Sequence, residues 1–235
     1  MVKLSQRLTH LADMVQEGAI LADVGTDHGY LPIYLLLTGK IQRAFAMDIR
    51  KGPLLRAKEH TKAYGLGDYI TLRISDGVKA LAPKEADSIL IAGMGGGVML
   101  HILQEGEDVI RAAKELILQP QSEIRKVREY LYQNGYIIDR EDMVLEEGKY
   151  YPMMHVVMEG EKSLQYTQEE WQMVYRFGDR TLHCGRKALD SYLCFQKKQC
   201  QAILSGLALR QGEAALARKA EVEQELYYIN AALQS

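Results

Sequence analysis

Carboxylates follow three separate apolar runs in the first third of this sequence, an arrangement suited to holding a cationic ligand. The first run opens into "LADVGTDHGYLP", with Asp23, Gly25, Asp27, His28 and Gly29; the second ends in "AMDI", with Asp48. A third ends in "RISDG", with Asp76 and Gly77, and a fourth in "IAGMGGG", with Gly93, Met94 and Gly95. In a doubly wound sheet ligands settle at the carboxyl ends of the strands, so these four endings are expected to meet.

Asp27 decides between ligand classes, because it stands where a dinucleotide-binding turn of this pattern carries glycine. A dinucleotide lays its pyrophosphate on the backbone N–H groups of that turn. A carboxylate ~4 Å from a phosphate, at an effective dielectric of ~20, is repelled by about 4 kcal/mol before relaxation. S-adenosylmethionine has no phosphate and carries a sulfonium and an ammonium group. The charge pattern therefore favours S-adenosylmethionine over NAD or ATP. Asp48, about 20 residues beyond the turn, can accept from ribose hydroxyls. Asp76 can accept from an adenine amino group. The plainer uses are a helix N-cap for Asp48 and a turn with Gly77 for Asp76.

The elements that must position these residues alternate. "AILADVG", "RAFAMDI", "YITLRISDG", "DSILIAGMGG" and "KELILQP" read as strands, with helical stretches such as "LPIYLLLTG" and "GPLLRAKEHTKAYGL" between them. Strands joined by helical crossovers imply a parallel α/β sheet covered on both faces. "YIIDREDMVLEEGKYYPMMHVVME" reads as an antiparallel hairpin at the sheet edge, turning at Glu147-Gly148-Lys149. From about Tyr166 onward there is no proline and little β-branching, which favours helices. Leu182, Leu189, Leu193, Ile203 and Leu207 suggest an apolar stripe for an antiparallel coiled-coil arm. The division expected is residues 1–162 as the catalytic domain and residues 163–235 as the helical coiled-coil domain.

Bulk properties exclude several classes. Across 235 residues the net charge is -2, so no global charge argues for nucleic acid, and a basic surface must be local. No stretch approaches the length needed to cross a bilayer. The three cysteines lack the spacing of a zinc site and read as small buried or half-buried thiols; no metal is expected. The opening segment spaces Leu4, Leu8, Leu11 and Val15 as a helix does, unlike a signal peptide, which points to a cytoplasmic protein.

"LADVGTDHGYLP", "AMDIRKGPL", "RISDGVKAL", "IAGMGGGVM" and "LILQPQ" together resemble the bacterial tRNA (adenine 22-N1)-methyltransferase family, over essentially the whole chain. The resemblance implies a Rossmann-like class I methyltransferase domain with a C-terminal helical coiled-coil extension, S-adenosyl-L-methionine as cofactor and tRNA as partner. It places Asp23, Gly25 and Gly29 at the methionine end of the cofactor, Asp48 at the ribose, and Asp76 with Gly77 at the adenine. Gly93, Met94 and Gly95 would floor the point where base and methyl group meet. Arg7 would contact the cofactor carboxylate or an RNA phosphate.

The fourth strand ends in "AGMGG", without the Asn-Pro-Pro-Tyr type of sequence that holds an exocyclic amino group, which argues against methylation at an adenine N6 and is compatible with attack by a ring nitrogen. Asp27 and His28 are the candidate catalytic residues. Asp27 would orient the base or accept from its N6 amino group, and His28 would act as acceptor or proton shuttle. The tail cations, Arg176, Lys197, Lys198, Arg210 and Lys219 among them, are candidate phosphate contacts, although neighbouring acids nearly balance them. Two other functions compete: methylation of a small metabolite, and RNA binding without catalysis on a methyltransferase scaffold. The sequence leaves the oligomeric state open.

Overall fold

The computed structural model describes residues 2–158, 166–208 and 212–234. The chain begins with α1 (Gln6–Met14), β1 (Ala19–Val24), α2 (Tyr30–Leu37), β2 (Ile41–Asp48), α3 (Lys51–Ala63) and β3 (Ile70–Ile74). It continues through β4 (Ser88–Met94), α4 (Gly96–Glu105), α5 (Glu107–Arg111), β5 (Glu115–Pro120) and α6 (Ile124–Gln133). The hairpin β6 (Ile137–Glu146) and β7 (Lys149–Val157) precedes α7 (Gln168–Phe177), α8 (Arg186–Leu207) and α9 (Glu213–Gln234).

The seven strands run in the order β3-β2-β1-β4-β5-β7-β6. The first five pair in parallel, and β7 joins β5 antiparallel, with β6 outermost. β5 is buried along all six residues, as a strand covered on both faces must be. One helical layer packs Met99, Leu103, Val127 and Leu131 onto Ile89, Ile91 and Leu116. The opposite face packs Leu11, Ile33 and Leu35 onto Leu21, Leu90 and Ile117. The order reverses direction between β1 and β4, where two crossovers leave in opposite senses and a crevice must open above the strand ends.

α1 is capped by Ser5, whose hydroxyl accepts from Leu8 N at 3.3 Å. Its Arg7 N–H donates to Glu146 at 3.2 Å, which ties the helix to the far end of the hairpin and brings Arg7 over the crevice.

The tail departs in detail from the pattern read in its sequence. α7 lies against α6 and its Trp171 ring meets Tyr132 edge-on at 5.0 Å, so this helix is part of the sheet's own helical layer. The expected boundary at residue 162 lies outside the described residues, as does Arg210. α8 and α9 pack together as the arm, but the stripe on α8 is Leu189, Leu193, Cys200 and Leu204, while Ile203 is 40% exposed. Those four are spaced by four, seven and four residues, a seam that fits a helix partner better than the looser set that includes Ile203. Cys184 and Cys194 are exposed rather than buried. Met143 and Phe177 join the arm's apolar cluster, so the arm is seated on the hairpin. Beneath that seat Arg128 and Glu141, both almost fully buried, pair at 2.7 Å, and Glu141 also accepts from Asp179 N at 3.2 Å.

Candidate active site

The β1 turn is made by two glycines in the left-handed region. Gly25, with φ of 80°, lets its own N–H and that of Thr26 both donate to Met47 O at 2.8 Å. This pins the turn to the end of β2. Gly29, with φ of 70°, begins α2. A side chain at Gly25 would also collide with the Met94 methyl group, so the turn and the β4 end are packed directly on one another.

Above this turn lies a cavity of about 360 Å³, lined by Arg7, Asp23, Gly25, Asp27, His28, Gly29 and Gly93 of the expected set. That volume suits a drug-sized or nucleoside-sized molecule. Asp48, Asp76, Gly77, Met94 and Gly95 fall outside the lining. Asp48 is buried at the adjacent strand end and accepts from Arg50 N at 2.7 Å. Asp76 is exposed and pairs with Lys79 at 2.9 Å, which holds its carboxyl below the usual range. Gly77 packs against Ile102, where an added Cβ would come within 3.0 Å. Gly95 caps α4, and Gly96 N donates to Ser122 O at 3.1 Å, drawing the loop after β5 to the glycine cluster.

The cavity's electrostatics differ from what Asp27 alone suggests. Asp27 sits at the exposed lip, bonded to Arg56 of α3 and 3.2 Å from His28 Nε2. Those partners hold its carboxyl below the usual range, so Asp27 is ionised but locally neutralised. It therefore repels a phosphate more weakly than its place in the turn implies. The stronger discriminator is Asp23. Burial pushes the Asp23 carboxyl up to about 6; Thr26 opposes this, and nearby Asp48 adds to it. A buried carboxylate with a raised pKa is relieved by a cation and worsened by an anion.

Arg7 faces the same cavity. Its Nη1 donates at 3.1 Å to Gln119, a fully buried residue whose Oε1 also accepts from Gly93 N at 3.2 Å. The guanidinium carbon stands 5.3 Å above the Tyr151 ring. His28 packs against two neighbouring rings, Tyr30 at 5.4 Å and His60 at 5.6 Å, which themselves stack at 4.7 Å, and His60 Nδ1 bonds His28 O at 2.9 Å. His28 Nδ1 is buried and has no hydrogen-bond partner among the described residues.

Arg56, Tyr30 and His60 thus belong to the site beside the residues expected there, and Gln119, expected at its rim from the end of β5, anchors Arg7. Arg56 and His60 lie on α3 at spacing four, so one helical face points both at the β1 turn; only the fold shows which face that is. No cluster of three or more potential metal ligands occurs among the described residues, and no helix among them is long and apolar enough to cross a membrane.

Comparison with known proteins shows the family. Residues 4–154 match the family model of a methyltransferase domain. Over 165 residues the chain is 40% identical to a Bacillus subtilis tRNA (adenine(22)-N(1))-methyltransferase, covering 70% of this chain and 69% of that protein. The structure of an M. capricolum relative in complex with S-adenosyl-homocysteine superposes with a TM-score of 0.84 at 25% identity, over 98% of both chains. A Streptococcus pneumoniae relative in complex with S-adenosyl-L-methionine superposes with a TM-score of 0.78 at 30% identity, over 98% of this chain and all of that one.

Proposed function

The chain belongs to the tRNA (adenine(22)-N(1))-methyltransferase family, and we infer from that membership and from its cavity that it transfers a methyl group from S-adenosyl-L-methionine to N1 of adenine 22 in tRNA. The observation that carries the reading is the pairing of a buried carboxylate, Asp23, with a guanidinium, Arg7, in one cavity. An amino-acid end with an ammonium and a carboxylate satisfies both, and neither a dinucleotide nor a nucleoside triphosphate offers the ammonium.

We propose the residue roles accordingly. Asp23 and the Gly25 and Gly29 turn hold the amino-acid end, with Arg7 on its carboxylate and His28 Nδ1 available to a polar group of the ligand. Asp48 meets the ribose at the end of β2, and Asp76 with Gly77 meets the adenine edge. Gly93, Met94 and Gly95 leave room at the end of β4 for the target base.

When bound, the cofactor supplies a methyl group on a cationic sulfur. What the protein must add is alignment, because N1 of adenine carries its own lone pair; alignment of this kind can be worth ~7–11 kcal/mol. Positive charge passes to the adenine ring as the methyl group moves. Asp27, kept ionised by Arg56 and His28, stands at the lip where its carboxylate can accept from the N6 amino group and stabilise that charge. His28 fixes Asp27 through its Nε2. The target base must leave its stack, at a cost of a few kcal/mol, and phosphate contacts must offset this. The arm of α8 and α9 is the proposed source of some of them.

The deciding experiment is incubation with cofactor labelled in its methyl group and full-length tRNA, followed by mapping of the product. Label at N1 of adenine 22 is the expected result. Label at another position, or in a small metabolite only, overturns the reading.

A further inference from the structure

A second cavity, of about 260 Å³, lies where the hairpin tip, α6, α7 and the start of α8 converge. It shares Gln121 with the cofactor cavity, so the two sites adjoin across one side chain. Gln121 N donates to Met94 O at 2.8 Å, which fixes this shared wall to the end of β4.

The chemistry of the two cavities is opposite. Asp23 and Asp27 line the first, whereas among the described residues no carboxylate lines the second, although acidic residues outnumber basic ones in the chain, 31 to 29. Its walls carry Lys149, Arg128 and Arg176 together with four aromatic rings, Tyr150, Phe177, Tyr192 and Phe195. Arg128 and Arg176 are engaged by Glu141 and Glu225, so Lys149 is the cation most open to a ligand; its Nζ reaches Gln121 at 3.4 Å. Tyr150 meets Tyr192 edge-on at 5.3 Å and Phe195 at 5.8 Å, and Phe195 remains 43% exposed. A large exposed aromatic ring beside a lysine, over a cleft whose described lining holds no acid, suits an anionic ligand with a flat face.

We propose that this cleft is a nucleotide subsite, in which a base of the tRNA substrate next to the flipped-out target stacks on Phe195 and Tyr150 while Lys149 meets its phosphate. The proposal rests on the tRNA reading above. Stacking on aromatic rings tolerates any base, and lysine reads phosphate as a point charge, so the subsite steers RNA toward the reaction centre without fixing its sequence. Its position suits that steering. The cofactor cavity opens above β1, and this one stands on the β5 and β7 side, so RNA entering here meets the methyl group at the shared Gln121 wall.

The test uses the full chain with Phe195→Ala, Phe195→Tyr and Lys149→Glu variants and full-length tRNA transcript. We expect KM for tRNA to rise roughly tenfold in Phe195→Ala and in Lys149→Glu, with cofactor affinity unchanged, and Phe195→Tyr to behave as wild type. Lys149→Glu should also flatten the salt dependence of tRNA affinity. Cross-linking of tRNA carrying 4-thiouridine beside the target should map to the Tyr150–Phe195 wall. If wild type methylates tRNA while both disruptive variants keep its KM, the subsite is refuted and the activity stands. A change of oligomeric state in Phe195→Ala without a change in tRNA affinity also refutes it, assigning the cleft to a second copy of the chain. If wild type methylates no tRNA, the activity itself fails and the subsite fails with it.

Discussion

Arg56 of α3 donates to Asp27 at the lip of the proposed cofactor cavity, and so converts an exposed carboxylate into a fixed one. Two consequences follow for function: the carboxylate stays ionised, and its direction is set by an element that also backs the β1 turn.

Loss of either partner should therefore damage turnover and leave cofactor binding alone. Arg56→Ala and Asp27→Asn are each expected to lower kcat about tenfold or more, with cofactor affinity within about twofold of wild type. Single-turnover methylation and cofactor titration separate the two quantities. Near-normal kcat in Asp27→Asn would remove this residue from the chemistry.

Asp23 should make cofactor affinity depend on pH. Its carboxyl titrates at about 6 in the free protein, and a neighbouring ammonium draws that value down. Affinity is then expected to fall as pH drops from about 7 to about 5, approaching tenfold per unit below about 6, and Asp23→Asn should bind weakly with no such slope. Calorimetric titration across that range is the check.

The same group bears on stability with a definite sign. A carboxyl raised from 3.8 to about 6 binds its proton more tightly folded than unfolded. Stability from this group is full below the unfolded value and lost as pH rises through about 6, by roughly 3 kcal/mol. The ligand-free Asp23→Asn protein should accordingly melt higher than wild type at about pH 7.5 and match it near pH ~4. Equal melting temperatures at the higher pH would contradict the buried charge.

His155 has the opposite sign. Burial works against its charge, but Asp139 at 2.6 Å and Glu115 at 2.7 Å win and push it up to about 9. Its contribution is full below 6.5 and disappears as pH rises through about 9. Wild type should lose melting temperature between about pH 7 and about pH 9.5 more steeply than His155→Gln, as read by thermal scans in matched salt.

Charge reversal on the arm tests its proposed contact with RNA. Lys197→Glu with Lys198→Glu on α8 should weaken tRNA binding at least about tenfold, reduce the salt slope, and spare cofactor affinity. Unchanged tRNA affinity would show that the arm serves another purpose. Substitution is preferable to truncation beyond residue 162, since that cut also removes α7, which packs on α6.

Strand identity, strand ends and cofactor class were legible because each rests on local chemistry: apolar runs, glycines at left-handed turns, and carboxylates just after the strands. Asp23 could be placed but not weighed, since its raised pKa comes from burial, which needs the whole fold. The neutralisation of Asp27 was hidden for a related reason. Arg56 lies 29 residues away, and only the packing of α3 against the β1 turn joins them. The α8 stripe failed at Ile203 because the seam depends on which face α9 covers, and a single helix offers several apolar faces of similar strength. The second cavity was invisible for the same kind of reason, being assembled from several elements that share no motif.

The reversed direction of β7 has an outcome of its own. Because it runs against β5, the Glu147-Gly148 turn stands at the ligand end of the sheet; a sixth parallel strand would have sent it to the opposite pole. The hairpin tip therefore forms a rim shared by both cavities: Glu146 and Tyr151 hold Arg7, while Lys149 and Tyr150 line the neighbouring cleft. One inverted strand thus sets a single turn between the Arg7 anchor and the neighbouring cleft, so a change in its length or charge is felt on both sides.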